Sequence, residues 1–205
     1  MKLLHIDSSI LGQNSASREL GAAWVANWRQ EHPRAQMKHV DLAREPLAHL
    51  NGEIFGARSM SDATRGTALQ SDVEADRSAL ADFLAADVLV IGAPMYNFSI
   101  PSQLKAWIDR IVVAGKTFHY TANGPEGMAT GKKAVIVISR GGIYSDGPAA
   151  AMDYQETYLR SVLGFIGVTD VEVIRAEGLA MGVDQRGAAM SAAHRAIASE
   201  LREAA

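Results

Sequence analysis

The chain has 205 residues, of which 48% are apolar and 21% are charged. This balance excludes a disordered chain, a collagen and a coiled coil, and the length favours one domain over residues 1–205. Lysine and arginine number 20 and aspartate and glutamate 23, so the net charge of −3 argues against general nucleic-acid binding. Cysteine is absent, which excludes disulfides, thiolate metal sites and cysteine nucleophiles.

The start of the chain and its apolar runs predict a cytoplasmic protein. His5 and Asp7 interrupt the apolar start too early for a signal peptide. The longest apolar runs, Val88–Ile91 and Val135–Ile138, are far shorter than the about 20 residues that a membrane-spanning helix needs. We therefore expect no targeting segment and no membrane anchor.

Short apolar runs alternate with amphipathic helical patterns, as in an α/β domain with a parallel sheet. Two of the runs are continuously apolar, which is typical of strands buried on both faces. The predicted strands are Lys2–Asp7, Met37–Leu42, Val88–Ile91, Ala134–Ile138 and Val171–Ala176. Right-handed crossovers then favour an α/β, flavodoxin-like three-layer sandwich, in which a five-stranded parallel sheet of order 2-1-3-4-5 has helices on both faces.

Two connections are longer than this architecture needs. Pro46–Gln70 has the pattern of a short helix near Gly52–Ser59. Gly115–Lys132 contains the strand-like segment Thr117–Tyr120, followed by turn residues at Asn123–Pro125 and Glu126–Gly127. Long connections in compact domains are usually functional or disordered.

The loop after the first strand, Ser8–Ser17, is rich in hydroxyl groups and leads into a helix predicted over Ser17–His32. In an open α/β sheet, ligands bind beyond the carboxyl ends of the strands, near the point where strand order reverses. A helix N-terminus offers free N–H groups and a partial positive charge, which favour phosphate. The loop therefore suits a phosphate monoester; the alternative is that Ser15 or Ser17 only caps the helix.

The loop after the third strand, Ala93–Ser102, places Tyr96 and Phe98 on either side of Asn97. An asparagine amide both donates and accepts hydrogen bonds, which suits the edge of a planar heterocycle. The alternative is a proline-bounded turn whose aromatic side chains pack in the core.

The loop after the fourth strand, Ser139–Pro148, contains Gly141 and Gly142 next to Arg140. Paired glycines let backbone N–H groups approach a ligand closely, and a positive side chain would favour negative charge on it. The alternative is a turn whose glycines only supply positive φ. Together the three loops match the phosphate, the ring edge and the pyrimidine side of FMN.

These loops and four further segments make the chain similar, over nearly its whole length, to the FMN-dependent NADH-azoreductases. That family is a branch of the flavodoxin-like NAD(P)H:quinone oxidoreductases. The segments that carry the resemblance are Ala93–Phe98, Thr117–Thr121, Asn123–Gly127, Gly131–Ala134, Ser139–Gly142 and Leu163–Gly167.

The resemblance implies a non-covalent FMN and a homodimer with active sites at the subunit interface. Its implied phosphate contacts are Ser9, Ser15, Ala16 and Ser17, and its implied ring contacts are Met95, Tyr96, Asn97, Phe98, Ser139, Arg140, Gly141 and Gly142. The implied substrate pocket contains Phe118, Tyr120, Tyr144 and Phe165, partly from the partner chain. The chain departs from a common family pattern at His119, where arginine is frequent.

The implied activity is the two-electron reduction of quinones and the reductive cleavage of azo compounds to amines, with NADH or NADPH as donor. One pocket used by donor and acceptor in turn predicts ping-pong kinetics. The flavin carries the chemistry, so no catalytic side chain is expected. The six histidines have no ligand spacing, so no metal site is expected. The competing interpretations are a flavodoxin-type electron carrier and a flavin-free module that binds a phosphate ligand.

Overall fold

The computed structural model describes the backbone of residues 1–58 and 67–203 and the side chains of residues 1–58 and 69–199. The strands within these residues are β1 (Lys2–Asp7), β2 (Gln36–Asp41), β3 (Val88–Pro94), β4 (Phe118–Thr121), β5 (Gly124–Gly127), β6 (Lys133–Ser139) and β7 (Asp170–Ala176). The α-helices are α1 (Ala16–Glu31), α2 (Gly52–Ala57), α3 (Thr67–Ala85), α4 (Ser102–Ile111), α5 (Glu156–Phe165) and α6 (Val183–Glu203). A short 3-10 helix, Gly12–Asn14, precedes α1, and a second, Ala150–Met152, precedes α5.

The main sheet has the order β2-β1-β3-β6-β7, and all its neighbouring strands are parallel. This confirms the predicted order and all five predicted strands. The two central strands extend beyond their apolar runs. β3 continues to Pro94, which pairs with Ser139, and β6 begins at Lys133, which pairs with Val88. Strand order reverses between β1 and β3, so the loops that follow these strands meet at the switch point.

Two apolar cores separate the sheet from its helices. On one face Trp24 of α1 and Ile197 of α6 pack with the central strands. On the other face Phe83 of α3, Trp107 of α4 and Leu163 of α5 do the same. All of β3 and nearly all of β6 are buried, as their continuous apolar composition predicts. The layers thus hold the carboxyl ends of β1, β3 and β6 in a fixed arrangement.

The connection Gly115–Lys132 folds into an antiparallel hairpin of β4 and β5, which confirms the strand-like segment Thr117–Tyr120. The turn predicted at Glu126–Gly127 is wrong, because both residues belong to β5. A Cβ atom on Gly127 would lie 2.2 Å from the backbone nitrogen of Gly167, so this glycine is needed for packing against the end of α5 rather than for a turn.

The connection Pro46–Gln70 contains α2, which confirms the short helix predicted there. Asn51 begins it, since its side chain accepts a hydrogen bond from the Ile54 N–H group. Ser59, the predicted last residue of this helix, lies outside the described residues. None of the described helices combines the length and the apolar character that crossing a membrane requires.

Candidate functional site

The N-terminus of α1 presents two backbone N–H groups that donate to no described residue, those of Ala16 and Ser17. Ser15 is the N-cap, and its Oγ accepts a hydrogen bond from the Arg18 N–H group at 3.3 Å. The capping interpretation is therefore correct for Ser15, but it leaves these two N–H groups available. The hydroxyls of Ser15 and Ser17 lie 3.1 Å apart beside them. Hydroxyls and N–H groups converging on a helix N-terminus can bind a phosphate.

The first loop is connected to the second through Tyr96. Its hydroxyl lies 3.3 Å from Ser9 Oγ and accepts a hydrogen bond from the Ile10 N–H group at 3.2 Å. Ser9 is buried, whereas the Tyr96 ring is partly exposed. The predicted phosphate and ring contacts therefore share one hydrogen-bond network at the switch point.

The second loop makes a tight turn in which Asn97 and Phe98 both have left-handed backbone, with φ of 48° and 70°. Tyr96 and Ser99 on either side exchange two backbone hydrogen bonds of 2.9 and 3.1 Å. Asparagine tolerates this conformation, but a phenylalanine there is strained, and such strain clusters at functional sites. Both side chains are exposed, so the core-packing alternative is wrong for Phe98.

The third loop begins beside the second, since the Met95 N–H group donates to the Ser139 carbonyl at 2.8 Å. The N–H groups of Gly141 and Gly142 donate to no described residue. Neither glycine has positive φ, so the alternative in which they only supply that conformation is wrong. A Cβ atom on Gly142 would lie 3.2 Å from the Tyr144 ring, so the missing side chain keeps the backbone accessible next to an aromatic ring.

Arg140 does not offer its charge to a ligand, contrary to the role suggested by its place in the sequence. Its guanidinium is fully buried and donates to Glu177 at 2.8 Å, to Asp153 at 2.6 Å and to Gln155 at 2.9 Å. Gln155 in turn donates to the Ala93 carbonyl at 2.8 Å. The side chain therefore holds the second and third loops together. The backbone of Arg140 is also engaged, since its N–H group donates to the Ala176 carbonyl at 2.9 Å and its carbonyl accepts from the Leu179 N–H group at 3.1 Å.

Glu177 completes this arrangement, although it was not predicted as a site residue. The carboxylate accepts hydrogen bonds from the N–H groups of Tyr144 and Ser145 at 2.9 and 3.1 Å. Burial alone would raise the pKa of Glu177, but the hydrogen bonds from Ser145, Arg140 and Tyr144 outweigh it and hold this pKa below its usual value. Glu177 directly follows β7, the last strand predicted for the main sheet, and this position at a strand end is the sequence signal that indicates it.

Arg18 holds the first loop in a similar way and was also missed. Its guanidinium donates to both carboxylate oxygens of Asp41, at 2.7 and 2.6 Å, and to the Ser9 carbonyl at 2.8 Å. The hydrogen bond from Arg18 lowers the pKa of Asp41. The position of Arg18 in the first turn of α1 was visible in the sequence, but its partners depend on how β1 and β2 pair.

The four predicted pocket residues fall into two groups. Phe118 is buried between Phe165 and Tyr120, with ring centroids 4.7 and 5.5 Å away. Tyr144 instead contacts Phe98, at 6.1 Å. No ring contact among the described residues joins the groups. Tyr120 is 74% exposed and Phe165 is 38% exposed, so the first group presents an aromatic surface rather than a closed pocket.

A cavity of about 530 Å³ lies beside β2 and α3. None of the predicted cofactor or pocket residues lines it. His119, where the chain departs from the family pattern, is exposed and has its Nε2 3.6 Å from a carboxylate oxygen of Glu126.

Residues 1–201 match a family model described as flavodoxin-like fold. The chain is 57% identical over 198 residues to an FMN-dependent NADH:quinone oxidoreductase of Sinorhizobium fredii, covering 97% of this chain and 96% of the relative. It is 54% identical over 204 residues to FMN-dependent NADH:quinone oxidoreductase 2 of Pseudomonas aeruginosa, covering 100% of both.

Among solved structures, an azoreductase from Bacillus anthracis superposes with a TM-score of 0.88 at 30% identity, and 97% of each chain is covered. Its fold likeness agrees with the sheet order, and the names of the relatives agree with the family that the chain resembles. The chain therefore belongs to the flavodoxin-like family of FMN-dependent NADH:quinone oxidoreductases.

Proposed function

We propose that this protein is an FMN-dependent NAD(P)H:quinone oxidoreductase that also cleaves azo compounds to amines. The observation that carries the proposal is the convergence of three loops at the switch point, where four backbone N–H groups have no described partner. Ala16 and Ser17 supply two of them, and Gly141 and Gly142 supply the others. The names of the relatives support the quinone activity and favour NADH, and the azoreductase neighbour supports azo cleavage.

The donor set fits FMN at both ends of the cofactor. The two N–H groups at the start of α1 and the hydroxyls of Ser15 and Ser17 would hold the phosphate. The N–H groups of Gly141 and Gly142 would face the pyrimidine side, where they stabilise negative charge. The second loop, from Met95 to Phe98, would contact the ring edge. These N–H groups and hydroxyls are neutral, so they can bind the cofactor without placing a fixed positive charge beside it.

FMN, when bound, supplies the two-electron redox chemistry between NAD(P)H and the acceptor. The chain's own groups would bind and orient it, and no acid or base side chain is required, because solvent can supply the protons. Donor and acceptor would occupy the same position in turn, which predicts ping-pong kinetics.

A second copy of the chain would complete the substrate pocket. Tyr120 and Phe165 expose an aromatic surface that makes no ring contact with Tyr144 or Phe98 within the described residues. We therefore propose that residues 1–205 act as one domain within a homodimer. The cytoplasmic location stays a prediction.

An anaerobic stopped-flow experiment tests the proposed activity. The FMN-loaded protein is mixed with NADH and then with a benzoquinone. We expect rapid bleaching of the oxidised flavin band, followed by rapid recovery. Slow or absent bleaching would contradict the enzyme and favour the electron carrier, and a purified protein that ignores added FMN would favour the flavin-free module.

A further inference from the structure

We propose that His5, Asp7 and His39 form a binding site for one divalent transition-metal cation. His5 and Asp7 lie two residues apart on β1, so their side chains share a face of the sheet. The parallel pairing of β1 with β2 places His39 directly opposite His5. Strand register therefore brings a distant histidine next to a histidine and an aspartate of β1, and both residue types bind transition metals.

The distances suit a shared cation. The Asp7 carboxylate contacts both imidazoles. Its Oδ1 lies 3.7 Å from His5 Nε2, its Oδ2 lies within hydrogen-bond distance of His39 Nε2 at 2.9 Å, and the two ring centroids are 4.8 Å apart. One ligand atom from each residue lies within 4.8 Å of the others. Ligand atoms around a tetrahedral zinc ion are about 3.4 Å apart, given bonds of about 2.0–2.2 Å. Side-chain adjustments on the scale of one ångström would reach that geometry.

Two polar atoms of the cluster lack a hydrogen-bond partner among the described residues. His5 Nε2 and Asp7 Oδ1 are buried and make no hydrogen bond to a described residue. Leaving a buried polar atom without a partner is destabilising, so such atoms usually indicate a ligand, a water or an ion. A cation between the two atoms would coordinate both.

The net charge around the cluster favours a cation. Arg18 Nη1 lies 3.4 Å from Asp7 Oδ2, but the same guanidinium makes two hydrogen bonds to Asp41. The charges of Arg18 and Asp41 offset each other, and the negative charge of Asp7 remains beside the two imidazoles. Nitrogen ligands select zinc, nickel or copper over magnesium and calcium.

His39 provides the route from solvent. Its side chain is 46% exposed on the edge strand β2, whereas His5 and Asp7 are buried beneath it. A cation could enter beside His39, and water could occupy its remaining coordination position, as in zinc sites with three protein ligands.

Calorimetric titration of Zn²⁺ into the FMN-loaded protein, after chelator treatment and dialysis, tests the site. We expect one Zn²⁺ per chain and no comparable binding of Mg²⁺. His39→Ala should weaken Zn²⁺ binding at least tenfold, and Asp7→Asn, which keeps the size of the side chain, should do the same. His39 lies on the exposed edge, so its variant keeps the test valid if Asp7→Asn fails to fold.

His194→Ala is the matched control. His194 is also an exposed histidine next to a carboxylate, 3.3 Å from Glu19, but it belongs to no three-residue cluster among the described residues. Its variant should bind Zn²⁺ like the wild type. The proposal is overturned if the wild type binds no Zn²⁺, if Mg²⁺ binds equally well, or if His39→Ala leaves the affinity unchanged.

Discussion

Arg18 and Arg140 hold loops at two places along the same edge of the sheet, and they differ in how deeply they are buried. Arg18 is 16% exposed and is matched mainly by Asp41. Arg140 is 0% exposed and is matched by Asp153 and Glu177 together. Both guanidinium groups are occupied by internal partners. The comparison shows that the arginines position the loops, while backbone N–H groups and hydroxyls remain for the ligand.

The different burial of Arg18 and Arg140 should make the loss of each arginine cost a different amount of folding stability. A buried charge that loses its partner cannot be hydrated, whereas a partly exposed one can. The third loop should therefore depend more strongly on its arginine than the first loop does. Variants of Arg140 and Arg18 test this difference directly, and variants of Asn97 and Glu177 test the loops beside them, from the largest expected effect to the smallest.

Arg140→Gln should lower the free energy of unfolding by about 3–5 kcal/mol, because it removes a fully buried guanidinium and leaves the carboxylates of Asp153 and Glu177, each only 12% exposed, without this counter-charge. Urea denaturation at pH 7 measures this. Lys105→Gln is the control, since it removes an exposed ion pair with Asp109 and should cost less than about 1 kcal/mol. An equal loss of unfolding free energy in Arg140→Gln and Lys105→Gln would show that Arg140 does not hold the third loop.

Arg18→Gln should cost about 1.5–3 kcal/mol, the usual range for hydrogen bonds to charged groups, and it should also weaken FMN binding. The second effect follows because the Ser9 carbonyl loses its donors and the first loop loses its anchor. Denaturation and a fluorescence titration with FMN measure the two effects. A larger loss of unfolding free energy in Arg18→Gln than in Arg140→Gln would contradict the expected difference between the two regions.

Asn97→Ala should destabilise the second loop by about 1 kcal/mol, because alanine tolerates left-handed backbone poorly. Asn97→Gly adopts that conformation freely and serves as the matched variant. Thermal denaturation of both proteins compares them. If both variants have the same melting temperature, the backbone of this turn is not strained in solution.

Stability should fall on acidification partly through Glu177. Its lowered pKa means that its contribution is present above the unfolded value of about 4.3 and is lost as the pH falls through the folded pKa. Glu177→Gln lacks this titration, so its free energy of unfolding should decline less steeply below about pH 4.3. Denaturation curves between pH 7 and pH 3 measure the slopes. Identical slopes in the two proteins would contradict the assignment.

The sheet and its order were predictable because each strand has a local apolar pattern and crossover handedness leaves few arrangements. Gly127 was misread because a glycine needed for close packing looks the same in sequence as one needed for a turn. Its partner, Gly167, lies 40 residues away. Such contacts depend on tertiary structure, and no local pattern encodes them.

The candidate site was predictable as a set of loops but not as a set of contacts. The three strand ends identified the loops, yet the direction of the Arg140 side chain depends on Asp153 and Glu177, which are distant in the sequence. The cluster of His5, Asp7 and His39 was missed for a related reason, because strand register rather than spacing brings it together. Combining alternation along β1 with parallel pairing could have found it.

Titration of FMN and riboflavin against the wild type, Ser17→Ala and the Ser15→Ala/Ser17→Ala double variant tests most directly whether neutral donors at α1 hold the phosphate. We predict that the wild type binds FMN far more tightly than riboflavin. Each serine removed should weaken FMN binding by about 1.5–3 kcal/mol and leave riboflavin binding nearly unchanged. The Ser17→Ala variant alone separates the two roles. Because Ser15 caps the helix, this variant removes one hydroxyl and leaves the cap in place. Wild-type FMN affinity in the double variant would show that the serines only shape the helix end and would contradict this account.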